Sequence, residues 1–107
     1  MGGQEGAGVH GSAFTPVVVP AEIWAREEVR RLLAERDVAG ILRLVQQHTG
    51  ASQQRLATAL AISQGRINEL INRRRQVTSL SSFQRLADGL GMPDPARIVL
   101  GPVLKAK

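Results

Sequence analysis

The sequence predicts an all-α protein, a compact bundle of about five to six short helices. Three observations carry this expectation. Apolar residues make up 43% of the 107 residues but aromatics only 3%. The core must therefore be built from Leu, Ile, Val and Ala, which suits packed helices. The apolar residues recur at three- and four-residue steps in successive short blocks, the mark of one-sided helices. Finally, the blocks are punctuated by Asp, Ser or Pro at their starts and by Gly at several of their ends. None of these helices is long enough to hold alone, so they form by packing their stripes together.

Residues 1–13 hold five glycines and little that packs, and are expected to be disordered. Residues 14–20 read as extended, with Pro16 and Pro20 bracketing Val17, Val18 and Val19. The arm 1–20 is thus set apart from a domain at 21–101 and a tail at 102–107. Pro20 starts a helix expected to run to about Glu35, with Ile23, Trp24, Val29, Leu32 and Leu33 apolar. Asp37 is placed to cap the next helix, whose stripe is Val38, Ile41, Leu42 and Val45. Gly50 ends it. Ser52 caps Gln53 to Leu60, and Ser63 caps Gln64 to about Asn72. Arg73, Arg74 and Arg75 open a basic connector. Ser79 caps a helix with Leu80, Phe83, Leu86, Ala87 and Leu90 inward, stopped at Gly91. Asp94, as N-cap before Pro95, opens a last short helix through Leu100.

The middle of this order is the most informative. Leu56, Ala57 and Leu60 bury one short helix. Ile67, Leu70 and Ile71 bury the next. Only Ala61, Ile62 and Ser63 separate them, so the two must cross steeply. That is a helix-turn-helix, in which the second helix enters the DNA major groove.

The charge supports a polyanion partner. The net charge is +5. Between Ser52 and Arg75 there are five arginines against one acid, Glu69, whereas between Ala21 and Asp37 four arginines face five acids. The excess is thus concentrated on the helix-turn-helix. Other classes are disfavoured. There is no cysteine, so disulfides and thiolate metal sites are excluded. His10 and His48 lie far apart, and no cofactor or metal is expected. No nucleophile–base–acid set is visible, since Ser52, Ser63 and Ser79 are explained by capping; an enzyme is not expected. No apolar run reaches the roughly 18 residues of a membrane span. The opening Met-Gly-Gly-Gln-Glu-Gly lacks the positive run of a secretory leader. A cytoplasmic protein is the expectation.

Several ordered features resemble the lambda-repressor/Cro family of DNA-binding domains. Ser52-Gln53-Gln54-Arg55-Leu56-Ala57 is similar to the opening of that family's second helix. Leu60-Ala61-Ile62-Ser63 is similar to its turn, with Ala61 where glycine is common. Ile67 and Leu70 match its buried recognition-helix positions, and Leu80 to Gly91 its closing helix. The resemblance covers Ile41 to Leu100, and residues 21–36 add a helix ahead of it. Its style is that of regulators from Arg-rich actinobacteria, in which such a domain often precedes a larger sensory region. It implies a lambda-repressor-like fold, a double-stranded DNA partner, and a C-terminal regulatory domain or effector if the chain is a fragment.

On the recognition helix, the face opposite Ile67, Leu70 and Ile71 carries Gly65, Asn68, Glu69 and Asn72, with Gln64 and Arg66 at its edges. Gln64 and Asn68 suit adenine and Arg66 suits guanine. Glu69 suits cytosine N4, or the steering of a neighbouring arginine. Gly65 either lets the helix press into the groove or is simply tolerated. Backbone contacts are expected from Ser52 and Asn72, and from Arg73, Arg74 and Arg75, which also suit the dipole at a helix C-terminus. The resemblance adds Gln53, at a helix N-terminus where a phosphate can sit. The leading reading is a sequence-specific transcriptional regulator, repressor or activator, acting as a homodimer on a palindromic site. A protein-interaction module working through Trp24, Val17 to Val19 or residues 102–104 is the alternative, and a nonspecific nucleic-acid binder a third.

Overall fold

Seven helices and no strand make up residues 17–101, the part of the chain that the computed structural model describes. Residues 1–16, which include the glycine-rich start and the Phe14 to Pro16 part of the expected arm, and the tail 102–107 lie outside them. The helices are α1 (Ala21–Trp24), α2 (Glu27–Glu35), α3 (Val38–Thr49), α4 (Gln53–Leu60), α5 (Gln64–Ile71), α6 (Leu80–Gly89) and α7 (Asp94–Leu100). The all-α expectation is met.

The first expected helix is two helices. Arg26 is extended, with φ −64° and ψ 143°, although neither Gly nor Pro stands there. The reason is geometric. At about 100° per residue, a continuous helix points Trp24 and Leu33 to opposite sides. Both are buried, at 3% and 0% exposure. The break at residues 25 and 26 re-aims the chain so that Ile23, Trp24, Val29 and Leu33 all reach one core.

The caps follow the sequence closely. Asp37 accepts from the Gly40 amide, Ser52 from Arg55, Ser63 from Arg66 and Ser79 from Ser82. Gly50 closes α3 with φ 72°. One cap differs. The amides of Ala96 and Arg97 both donate to the Pro93 carbonyl, so Pro93 is the N-cap and Asp94 is helical, its charge beside the positive end of α7. Asn72 is likewise the C-cap of α5 rather than its last residue.

Four helices end in the same left-handed turn, in which two amides beyond the helix donate back to its last carbonyls. The left-handed residues are Arg36, Ala61, Arg73 and Gly91. Glycine fills only the last. Ala61 has φ 59°, so the turn between α4 and α5 holds a strained alanine. A left-handed L-residue costs roughly 1–2 kcal/mol, and glycine gives back about 0.4–1 kcal/mol through the unfolded chain. Ala61→Gly is therefore expected to raise stability by up to about 1 kcal/mol in urea denaturation. A loss of stability shows that residue 61 is not held left-handed.

The core is one cluster. Leu33, Ile41, Leu42, Leu56, Ile67, Leu86, Leu90 and Leu100 are fully enclosed. Such side chains contribute about 1.5–3 kcal/mol each by leaving water. Val17 and Val19 from the extended arm belong to this cluster. Trp24, Val17 and Val19 therefore present no outer surface, while Val18 is exposed. Of the stripe expected on α6, Leu86, Ala87 and Leu90 are buried, Phe83 is half-buried and Leu80 is exposed. Phe83 lies under the Arg36 guanidinium, 5.7 Å from its ring centre. Arg97 is buried, which its charge does not suggest. It donates to Asp88 at 2.7 Å and to the Met92 carbonyl at 2.8 Å, tying α7 to α6.

Candidate nucleic-acid interface

Helix α5 rests its Ile67, Leu70 and Ile71 face on α3 and α4. Its other side is open. Gln64, Gly65, Arg66 and Asn68 are exposed and Glu69 is half-exposed. At Gly65 an added Cβ meets no atom within 4 Å. The middle of the outward face is thus bare backbone with free space before it.

Polar side chains anchor this face. Asn68 Nδ2 donates to Gln53 Oε1 at 3.4 Å, a long bond that brings the first residue of α4 beside the middle of α5. Asn72 Nδ2 donates back to the Asn68 carbonyl at 3.0 Å. Gln64 stands at the same edge as Asn68. Arg66 falls on the other edge, toward α6, and lines a cleft there with Arg85.

The three consecutive arginines are not alike. Arg73 makes a two-pronged pair with Asp37, at 2.8 and 3.3 Å. Arg75 Nε donates to Glu69 at 2.9 Å. Glu69 therefore steers an arginine, one of the two roles its position suggested. Arg74 alone of the three has no side-chain partner among the described residues. Ser52 keeps its hydroxyl on the Arg55 amide, at the exposed start of α4.

Two residues tie the end of α5 and the turn after it to α3 in ways that the sequence reading did not assign. Arg43 Nη2 donates to the Ile71 carbonyl at 2.8 Å, closing the end of α5 from α3. Asp37, expected only as a cap, also holds Arg73. The Arg73 guanidinium keeps the Asp37 carboxyl below its ordinary value of 3.8, against a smaller upward push from burial and with help from the Gly40 amide. A folded-state pKa below the unfolded one adds stability that is complete above the ordinary value and is lost as pH falls through the folded one. Asp37→Asn retains the cap but not the ion pair. It is expected to flatten that acid-side loss in a series of melts across low pH. Parallel curves for the two proteins rule the pair out.

Among the described residues, no group of three or more His, Cys, Asp or Glu could hold a metal, and no helix is long and apolar enough to cross a membrane. The site is instead an exposed helix edge, supported from behind and rimmed with arginine. With the short turn at residues 61–63 ahead of it, this fold and site define a helix-turn-helix protein. A family model described as a helix-turn-helix domain matches residues 37–98, from the cap of α3 into α7. The match covers more than half of the chain, and the chain belongs to this family of DNA-binding domains. No curated protein and no solved structure matches it.

Proposed function

We propose that the protein is a sequence-specific double-stranded DNA-binding regulator of transcription that inserts α5 into the major groove. The observation that carries this reading is the bare backbone at Gly65, beside the amide side chains of Gln64 and Asn68, on the open face of a helix whose opposite face is packed. Gln64 and Asn68 read bases. The Asn68–Gln53 bond sets the angle of the Asn68 amide before DNA arrives, and Gln53 and Ser52 meet a phosphate at the start of α4. The ordered features from Ile41 to Leu100 support a lambda-repressor/Cro-like mode. One short helix reads only a few base pairs, so two copies bind a palindrome. The protein works in the cytoplasm, where bacterial DNA lies.

Selection of bound sequences from a random duplex pool tests the reading. A short palindromic consensus is expected. On that site, Gln64→Ala or Asn68→Ala costs about 1–3 kcal/mol and relaxes one or two positions only. Arg74→Ala weakens all sequences alike and flattens the plot of log K against log salt by about one unit. Equal enrichment of all sequences, or equal losses on specific and random duplex, overturns base reading by α5.

A further inference from the structure

We propose that the smaller cleft of the domain, between α5, the connector and α6, is an anion site that takes a phosphate group. Its volume is about 170 Å³. Arg66 from the first turn of α5, Arg75 from the connector and Arg85 from the second turn of α6 all line it, and no carboxylate does. The larger neighbouring cleft, about 630 Å³, is different. There Glu35 and Asp37 stand among Arg36, Arg73 and the shared Arg75, so two of the three cations are offset.

Two of the three cations are unpaired among the described residues, and the third is shared with Glu69. Among the described residues, neither the Arg66 nor the Arg85 guanidinium has a hydrogen-bond or ion-pair partner. Glu69 engages only Nε of Arg75, leaving its two terminal nitrogens. The Ser82 hydroxyl accepts from Ser79 at 2.8 Å and keeps its own proton to donate. Guanidinium forks match the oxygens of a phosphate, and three of them around one small opening favour a tetrahedral anion over a carboxylate. Size limits the ligand. Pockets for whole small molecules run to roughly 300–1,000 Å³, so this one holds an anionic head and leaves the rest of its bearer outside. That bearer is either the DNA backbone or a phosphorylated small molecule.

The two sources separate in one set of measurements on the full chain. Inorganic phosphate is titrated against chloride at equal ionic strength, while the side-chain Nε–H signals of the arginines are followed by NMR. Saturable shifts are expected at Arg66, Arg75 and Arg85, and their loss in Arg85→Gln and in Arg66→Gln, with the remaining amide spectrum unchanged as a check on folding. Identical responses to phosphate and chloride, or shifts spread evenly over all arginines, overturn the site. Duplex binding by the same proteins then identifies the source. A salt slope reduced by about one unit in Arg85→Gln assigns the phosphate to the DNA backbone. An unchanged slope with the phosphate response lost assigns it to a small molecule. Wild-type protein that binds duplex but ignores phosphate overturns the anion site alone. Protein that takes phosphate but no duplex overturns the DNA reading and leaves the site standing.

Discussion

A leucine at position 65 is expected to abolish specific duplex binding while leaving the domain folded and salt-dependent nonspecific binding intact. Gly65 is helical and exposed, and a Cβ there meets nothing within 4 Å. The free protein thus has no steric reason to keep glycine. Alanine gains up to about 1 kcal/mol in helix propensity and in lost unfolded-state freedom. Leucine gains a similar amount but, with α5 in the groove as proposed, fills the space between the helix and the bases. Thermal stability and specific affinity are measured on the same preparations. A more stable protein that still binds its preferred site, even with leucine, removes Gly65 from the interface and moves the reading face elsewhere on α5.

Gly89 carries the opposite expectation. A Cβ there comes to 2.5 Å from the Ala59 carbonyl oxygen, 2.9 Å from its carbon and 3.0 Å from Leu60 Cδ1. The obstacle is mainly backbone, so no side chain can swing aside. Gly89→Ala must push α6 from α4, and with it the first helix of the DNA-binding pair. Overpacking of this kind costs about 1–3 kcal/mol, which outweighs the helix-propensity gain of about 1 kcal/mol. Natural domains are stable by only about 5–15 kcal/mol, so the loss is plain in urea denaturation, and valine deepens it. Unchanged or higher stability shows that α4 and α6 do not pack this closely.

These two glycines also mark how far the sequence speaks. Gly65 was legible because it interrupts a polar face whose inward partners, Ile67, Leu70 and Ile71, define the helix orientation. Gly89 was not, because its neighbour is thirty residues away and leaves no local trace. The same division runs through the fold. Ser52, Ser63, Ser79 and Gly50 act within a turn of themselves, and the structure places each cap as read. The break at residues 25 and 26 is imposed by a distant core, although the mismatch between Trp24 and Leu33 on one helix was available as a signal. The candidate site divides likewise. Its exposed face follows from helix periodicity. The pairings that distinguish Arg73 and Arg75 from Arg74 depend on Asp37, 36 residues before Arg73, and on a bend of the connector that brings Arg75 back to Glu69.

The arm and the last helix have a further consequence for anyone who exchanges parts between proteins of this kind. The matched segment ends at residue 98 and begins at 37, yet α2 packs directly on α7, and Val17, Val19, Trp24, Val29, Leu33 and Leu100 sit in the same cluster as Ile41 and Leu56. Arg36 also donates to the Leu100 carbonyl at 2.8 Å, stitching the start of the motif to the end of the domain. A graft cut at the motif's own limits carries an exposed apolar flank into its new host. The piece to carry over includes at least Val17 to Leu100, and chimeras joined outside those residues keep α5 on the foundation it was folded with.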